Sequence, residues 1–188
     1  MSTGTIDFRT PAAGFDQPLA LWIACHERVM RMCGLLQLLH EHIRDKGVNE
    51  PAGVTAHSVL RYFEEAAPRH HEDEEQDLFP RLLQRLTGDE RDVVARTVNQ
   101  LSAEHATPGA AWAALKVTLE AIERREELVL DRAAVDAFSD GYRRHIALEE
   151  NALAPAMRQA FDAADWREIG KSMAARRGVN WDELESGG

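Results

Sequence analysis

One eleven-residue frame is written twice in this chain. The first copy is His70-x3-Glu74-Glu75-x2-Leu78-x-Pro80 and the second is His145-x3-Glu149-Glu150-x2-Leu153-x-Pro155. On a helix, a His and a Glu four residues apart stand on one face. A lone histidine precedes each copy at a similar interval, His26 before the first and His105 before the second. Each half of the chain thus offers two imidazoles and one carboxylate. His26, His70, Glu74, His105, His145 and Glu149, converging from four helices, would make a nest for a pair of transition-metal ions. Imidazole suits iron, zinc, copper and nickel, and a carboxylate can bridge two ions, so the mixture favours such metals over calcium or magnesium. Redox-active iron is the metal expected, with zinc or manganese as alternatives.

The elements that must present these residues are helical. The composition is rich in Ala, Leu, Glu and Arg and poor in aromatic residues. Apolar residues recur at helical spacing through Leu19, Trp22, Ile23, His26, Met30, Cys33 and Leu36, from a cap expected at Asp16 to a stop at Gly47. After a loop written KGVNEPAG, a second stripe from Thr55 holds Leu60, Phe63, Ala67, His70, Glu74 and Leu78, with Pro68 expected to kink or split the helix. A third stripe from Asp89 runs through Val94, Val98, Leu101, His105, Trp112, Leu115 and Ile122, with a second bend expected at Pro108. The fourth, from Asp131, carries Val135, Phe138, Tyr142, His145, Glu149 and Ala156. The fold class is therefore all-α, an up-down-up-down four-helix bundle over 16–161. Residues 1–15 form an irregular lead-in, and 162–188 a shorter helix and acidic tail that flank the bundle.

Bulk properties exclude several classes. At 188 residues the chain holds one domain with a sizeable core. A net charge of −10 argues against nucleic acid or an anionic membrane as partner. The sequence has neither a signal-peptide pattern nor an apolar run of membrane-spanning length, so a cytoplasmic location is expected. Cys25 and Cys33 form no C-x-x-C pair and lie too far apart along one helix for a disulfide, so both are expected reduced.

Other residues have plainer readings. His71 with Glu75 is a competing register, set below His70 with Glu74 because the second copy places Ile146 where His71 stands. His40 shares the phase of His26 but lies ~21 Å along the axis at 1.5 Å per residue, and His42 and His57 read as surface or packing groups. Apart from Glu74, the run HEDEEQD reads as a solvated helix face. Glu104 either faces water or assists a proton transfer. Trp22, Trp112 and Tyr142 read as core, with Tyr142 an alternative hydrogen-bond donor or ligand, and Cys25 as a small packing residue.

The pattern of His26, HHEDEEQDLFP, His105 and HIALEENALAP resembles the hemerythrin-like (HHE cation-binding) domain family over roughly residues 16–160. That resemblance implies a non-haem di-iron centre with an oxo or hydroxo bridge. His26, His70, His105 and His145 would be its terminal ligands, and Glu74 and Glu149 its bridging carboxylates. Oxygen-carrying members have a fifth histidine where this chain has Gly109. The site is in this respect similar to bacterial di-iron proteins linked to nitric oxide chemistry and iron-sulfur cluster repair. The expected ligand is dioxygen, nitric oxide or peroxide, for storage, scavenging or sensing. The alternatives are an oxidoreductase consuming peroxide or nitric oxide, a repair function, or a metal-binding module without redox chemistry. An electron donor or partner protein would complete the first three; the sequence leaves oligomeric state open.

Overall fold

In the computed structural model the described residues are 13–106, 110–126 and 129–186, so the bend expected at Pro108 and the position of Gly109 lie outside them. Among the described residues all regular structure is helical. Helix α1 spans Pro18–Lys46 and ends at Gly47, whose φ of 72° suits glycine. Its first turn holds Pro18, but the capping position is Gln17, without a side-chain cap, rather than Asp16.

The second rod starts earlier than the apolar stripe suggested. Asn49 accepts from the backbone N–H of Ala52 and Pro51 sits in the first turn, so α2 begins at Glu50 and absorbs the second half of the expected loop. It continues as α2 (Glu50–Arg61), α3 (Ala67–Asp73) and α4 (Phe79–Arg85), joined by π turns at Tyr62–Ala66 and Glu74–Leu78. Pro68 neither breaks nor splits the rod. The third rod comprises α5 (Gly88–Ala106) and α6 (Ala110–Glu123). The fourth comprises α7 (Arg132–Leu148), capped by the Asp131 carboxylate, and α8 (Ala154–Ala160), joined by a π turn at Glu149–Leu153. Helices α9 (Ala163–Arg176) and α10 (Trp181–Ser186) follow.

All three π turns have the same cause. The N–H of Ala67, Phe79 and Ala154 reaches back five residues, to the carbonyls of Tyr62, Glu74 and Glu149, and each donor immediately precedes a proline. A proline inside a helix supplies no N–H and its ring presses on the carbonyl four residues earlier; a widened turn relieves both. Pro80 and Pro155 are the last residues of the repeated frame, so each copy builds a π turn that opens on its own glutamate.

Helix α1 packs against α2 and α7, α2 against α6, and α6 against α7, which closes a four-rod bundle. Its apolar interior is divided in two. One cluster is built around Val29, Leu36, Phe63, Leu119 and Val135, the other around Leu78, Leu82, Leu101, Leu153 and Met157. On every rod the candidate ligands lie between them: His26 separates Trp22 from Val29, and Glu149 separates Ile146 from Leu153. No described helix is long and apolar enough to cross a membrane.

Helix α9 braces the ligand-bearing rod. Its start is fixed by a reciprocal Asp162–Asp165 capping box, and Asp165 also accepts from Arg81 at 3.0 Å and Arg85 at 2.8 Å on α4. Just beyond its end, Arg177 grips Asp73 with both terminal nitrogens, at 3.0 and 2.6 Å, while Arg176 joins Asp73 to Asp77. Glu72, Glu75 and Gln76 of the acidic run are exposed as expected, but Asp73 is buried beside Glu74 and Asp77 is half-buried, and these two carboxylates are the sockets for α9. Burial pushes the Asp73 carboxyl up, and the two arginines pull it back down. Removing one partner of a buried pair costs about 3–5 kcal/mol, because the other charge is left uncompensated. We therefore expect Asp73→Ala to destabilise the fold by roughly 3 kcal/mol in chemical denaturation, since the arginines keep some access to water. A loss under about 0.5 kcal/mol would show that α9 is not held there.

Candidate metal centre

The six sequence-selected side chains meet between the two apolar clusters. Glu74 and Glu149 are fully buried, His26 and His70 nearly so, and His105 and His145 reach the centre from its more open side. Their atoms interleave. Glu74 lies 3.1 Å from Nε2 of His70 and 3.6 Å from Nε2 of His105, while Glu149 lies 3.3 Å from Nε2 of His26 and 3.2 Å from Nε2 of His145. Thus each carboxylate faces an imidazole from its own rod, by the expected four-residue spacing, and one from another rod.

The other ring nitrogens explain why Nε2 points inward. Nδ1 of His26 meets Glu150 at 2.9 Å, Nδ1 of His105 meets Glu75 at 2.8 Å, and Nδ1 of His145 meets Glu104 at 2.7 Å. An ionised carboxylate only accepts, so each of these Nδ1 atoms carries the hydrogen and leaves an Nε2 lone pair for the centre. Glu75 and Glu150 are the second glutamates of the two frame copies, and each crosses the bundle to hold the other half's lone histidine. Glu104 is likewise a partner of His145 rather than a merely solvated group. The signal for the first two was present in the sequence, as a Glu-Glu pair kept in both copies. Trp22, read as core, is buried and also donates its indole N–H to Oε1 of Glu74 at 2.6 Å.

His71 is a further neighbour that the competing register had named. It is half-buried, its ring stacks on His105 with centroids 4.1 Å apart, and one ligand atom from each of His71, Glu74 and His105 falls within 4.8 Å of the others. Both registers of the first copy therefore reach this region. His40, His42 and His57 do not: they pair with the Leu130 carbonyl, Asn49 and Glu123. Tyr142 packs on Phe63 and Phe138 beside His145. Both cysteines are free and buried, and burial pushes their thiols up, Cys33 to about 11, which leaves Cys25 a packing residue rather than a reactive thiolate.

The donor set fits cations. Nε2 of His26 and three of the four glutamate oxygens are buried without a hydrogen bond, although Nε2 of His26 and Oε2 of Glu149 are only 3.3 Å apart. Nε2 of His105 and Nε2 of His145 stand 3.0 Å apart, each with its hydrogen committed to Nδ1. Without a cation, Nε2–H of a doubly protonated His145 donates to the Nε2 lone pair of His105; a cation would take the place of that proton, with both nitrogens among its ligands. His26, His70, Glu74 and Glu149 form one cluster of ligand atoms, and His105, His145 and Glu149 another. These groups could hold metal.

Without a cation, protons must do the neutralising. Burial works against the charged form of His26, yet the carboxylates of Glu149 and Glu74 lift it to about 10; the same contest lifts His145 to about 9. Burial and the neighbouring Glu149 push Glu74 up to about 8. Glu149 is also opposed by burial, but the imidazoles of His145 and His26 close beside it, at 3.2 and 3.3 Å, hold it below the usual carboxylate range. Burial drives His70 far below the ordinary imidazole value of 6.5. A histidine raised on folding contributes stability that is complete below 6.5 and lost as pH climbs through the folded value, and a raised carboxyl acts in the same sense. Chelator-treated protein should therefore show a melting temperature that falls as pH rises from about 6.5 to about 10, a fall that cation loading suppresses. A flat profile in the chelated protein would contradict these proton positions.

Residues 17–157 match the family described as hemerythrin HHE cation binding domain. The chain is also 34% identical over 170 residues to a protein of Haemophilus influenzae (strain ATCC 51907 / DSM 11121 / KW20 / Rd) described as "Uncharacterized protein", an alignment covering 89% of this chain and 94% of that protein. A four-rod helical bundle with paired His-x3-Glu turns at its middle, matched by that family along most of its length, belongs to the hemerythrin HHE cation-binding domain family.

Proposed function

We propose that the protein is a di-iron member of this family, which binds dioxygen, nitric oxide or peroxide as a store, scavenger or sensor. The observation that carries this reading is the pair of fully buried carboxylates, each facing two imidazole Nε2 atoms, with three of their four oxygens left without a hydrogen bond. His26 and His70 would hold one ion and His105 and His145 the other, with Glu74 and Glu149 shared. Mixed imidazole and carboxylate ligation suits iron, and iron supplies reversible electron transfer to a small ligand. The chain's own residues prepare that chemistry. Glu75, Glu104 and Glu150 fix the imidazoles, Trp22 aims Glu74, and the two apolar clusters keep bulk water off both faces of the polar layer. Glu104 is part-exposed, so its carboxylate can pass a proton between Nδ1 of His145 and solvent. An electron-donor protein and a cytoplasmic setting, where buried thiols such as Cys25 and Cys33 stay reduced, complete the reading.

A second reading is a peroxide- or nitric-oxide-consuming oxidoreductase. It is favoured by Gly109, which stands in the place of the carriers' fifth histidine and leaves fewer protein ligands around the second ion. Turnover with an electron donor, faster than free iron supports, separates it from simple binding.

Metal analysis of anaerobically purified protein should give about two irons per chain, with an optical change on exposure to dioxygen or nitric oxide. His70→Ala or Glu149→Ala should abolish that stoichiometry. Glu75→Gln or Glu150→Gln should keep it but weaken metal affinity about 10–100-fold, by loosening the imidazole behind each ligand. Full metal content in Glu149→Ala would defeat the proposal, and tightly held zinc with no optical response would leave a metal module without redox chemistry.

A further inference from the structure

Beside the His105–His145 edge of the centre lies a cavity of about 850 Å³, open to solvent on one side. Dioxygen, nitric oxide and hydrogen peroxide have no use for such a space: one water's share of the liquid is about 30 Å³, whereas organic-ligand sites occupy roughly 300–1,000 Å³. Its wall is a cluster of four aromatic rings. Phe63 lies 5.0 Å from both Trp112 and Phe138, and Tyr142 lies 5.1 Å from Phe138, centroid to centroid, so the rings hold one another in place.

The space is kept open by residue choice. Gly141 lies on α7, one helical turn before His145 and on the same face, and it lines the cavity. A Cβ added there would meet nothing within 4 Å. Glycine in a helix interior costs about 1 kcal/mol relative to alanine, so steric need of a neighbour does not account for it; room in the cavity does. On the inner side, His71 presents its ring to the cavity with no hydrogen-bond partner among the described residues.

We propose that this cavity binds a neutral amphipathic organic molecule. Its apolar part, one aromatic ring or a short alkyl chain, would lie against Phe63, Trp112 and Phe138, and its single hydroxyl or hydroperoxyl group would meet His71 beside the metal ligands. A neutral ligand is favoured because the rim's two carboxylates are already engaged, Glu64 by Lys116 and Glu104 by Nδ1 of His145, so neither calls for a cation, while the chain's net charge of −10 disfavours an anion. The assignment rests on the di-metal reading for its purpose, since it names an organic hydroperoxide and its alcohol as substrate and product of that centre: the O–O bond breaks, two electrons from the electron-donor protein and two protons are taken up, and the alcohol and one water leave. Binding itself does not require metal.

The test is a titration of the full-length protein with 2-phenyl-2-propanol, followed by calorimetry and ligand-observed NMR, with metal content measured on the same sample. A ligand of about ten non-hydrogen atoms in a fitting pocket should bind with Kd of about 1 mM or tighter. Gly141→Leu, which fills the space while removing a helix-weakening glycine, should weaken binding at least tenfold without lowering the melting temperature or metal content; Ala137→Leu, on the same wall, serves if that variant fails to fold. No saturable binding below about 10 mM, or a loss smaller than tenfold in the folded variant, overturns the assignment. A sample without metal that still shows this cavity-dependent binding would sink the di-metal reading alone.

Discussion

Two carboxylates with no exposure to water set the terms for the rest of this structure. A charge taken into a protein interior costs several kcal/mol after relaxation unless opposite charge or hydrogen bonds meet it. Glu74 and Glu149 receive a single indole N–H and four surrounding imidazoles, and most of their oxygens remain without a hydrogen bond. Protons can neutralise the group in part, which is why His26 and His145 hold theirs to alkaline pH and Glu74 stays protonated to about 8. Divalent cations would neutralise it more completely, and the donors lie close enough together that they could hold them.

Such a layer is tolerated because the architecture isolates and fixes it. The apolar interior is split into two clusters, and the polar layer lies at the joint between them. Each half of the chain secures the other: Glu75 of the first frame holds His105 of the second half, and Glu150 of the second holds His26 of the first. Proline-driven π turns open on both buried glutamates, and α9 is clamped through Arg176 and Arg177 onto Asp73, the residue before Glu74. Precision at the ligands is thus supplied by local chain geometry and by ion pairs outside the centre.

Much of this was legible in the residues. The four-residue spacing fixes which His and Glu share a face, and the helical stripes place all six inward, since both properties belong to a single helix. What was not legible depends on the register between helices. Nothing in the spacing within HEDEEQD says that Asp73 points at α9 or that Glu75 crosses to His105, so a run of acids that is partly wet reads as wholly so. His71 was set aside by comparison with Ile146, yet the rod brings His71 against His105. Pro80 and Pro155 stood in the repeated frame, but the effect of a proline on the preceding turn, widening rather than breaking it, required the surrounding bundle to be seen.

The central claim is that six side chains from four rods enclose two cations. An anomalous difference map from crystals grown with ferrous iron addresses it most directly. The account predicts two strong peaks about 3–4 Å apart between Glu74 and Glu149, one beside His26 and His70 and the other beside His105 and His145. A map with no peak there, or with those imidazoles turned away from the carboxylates, would contradict it.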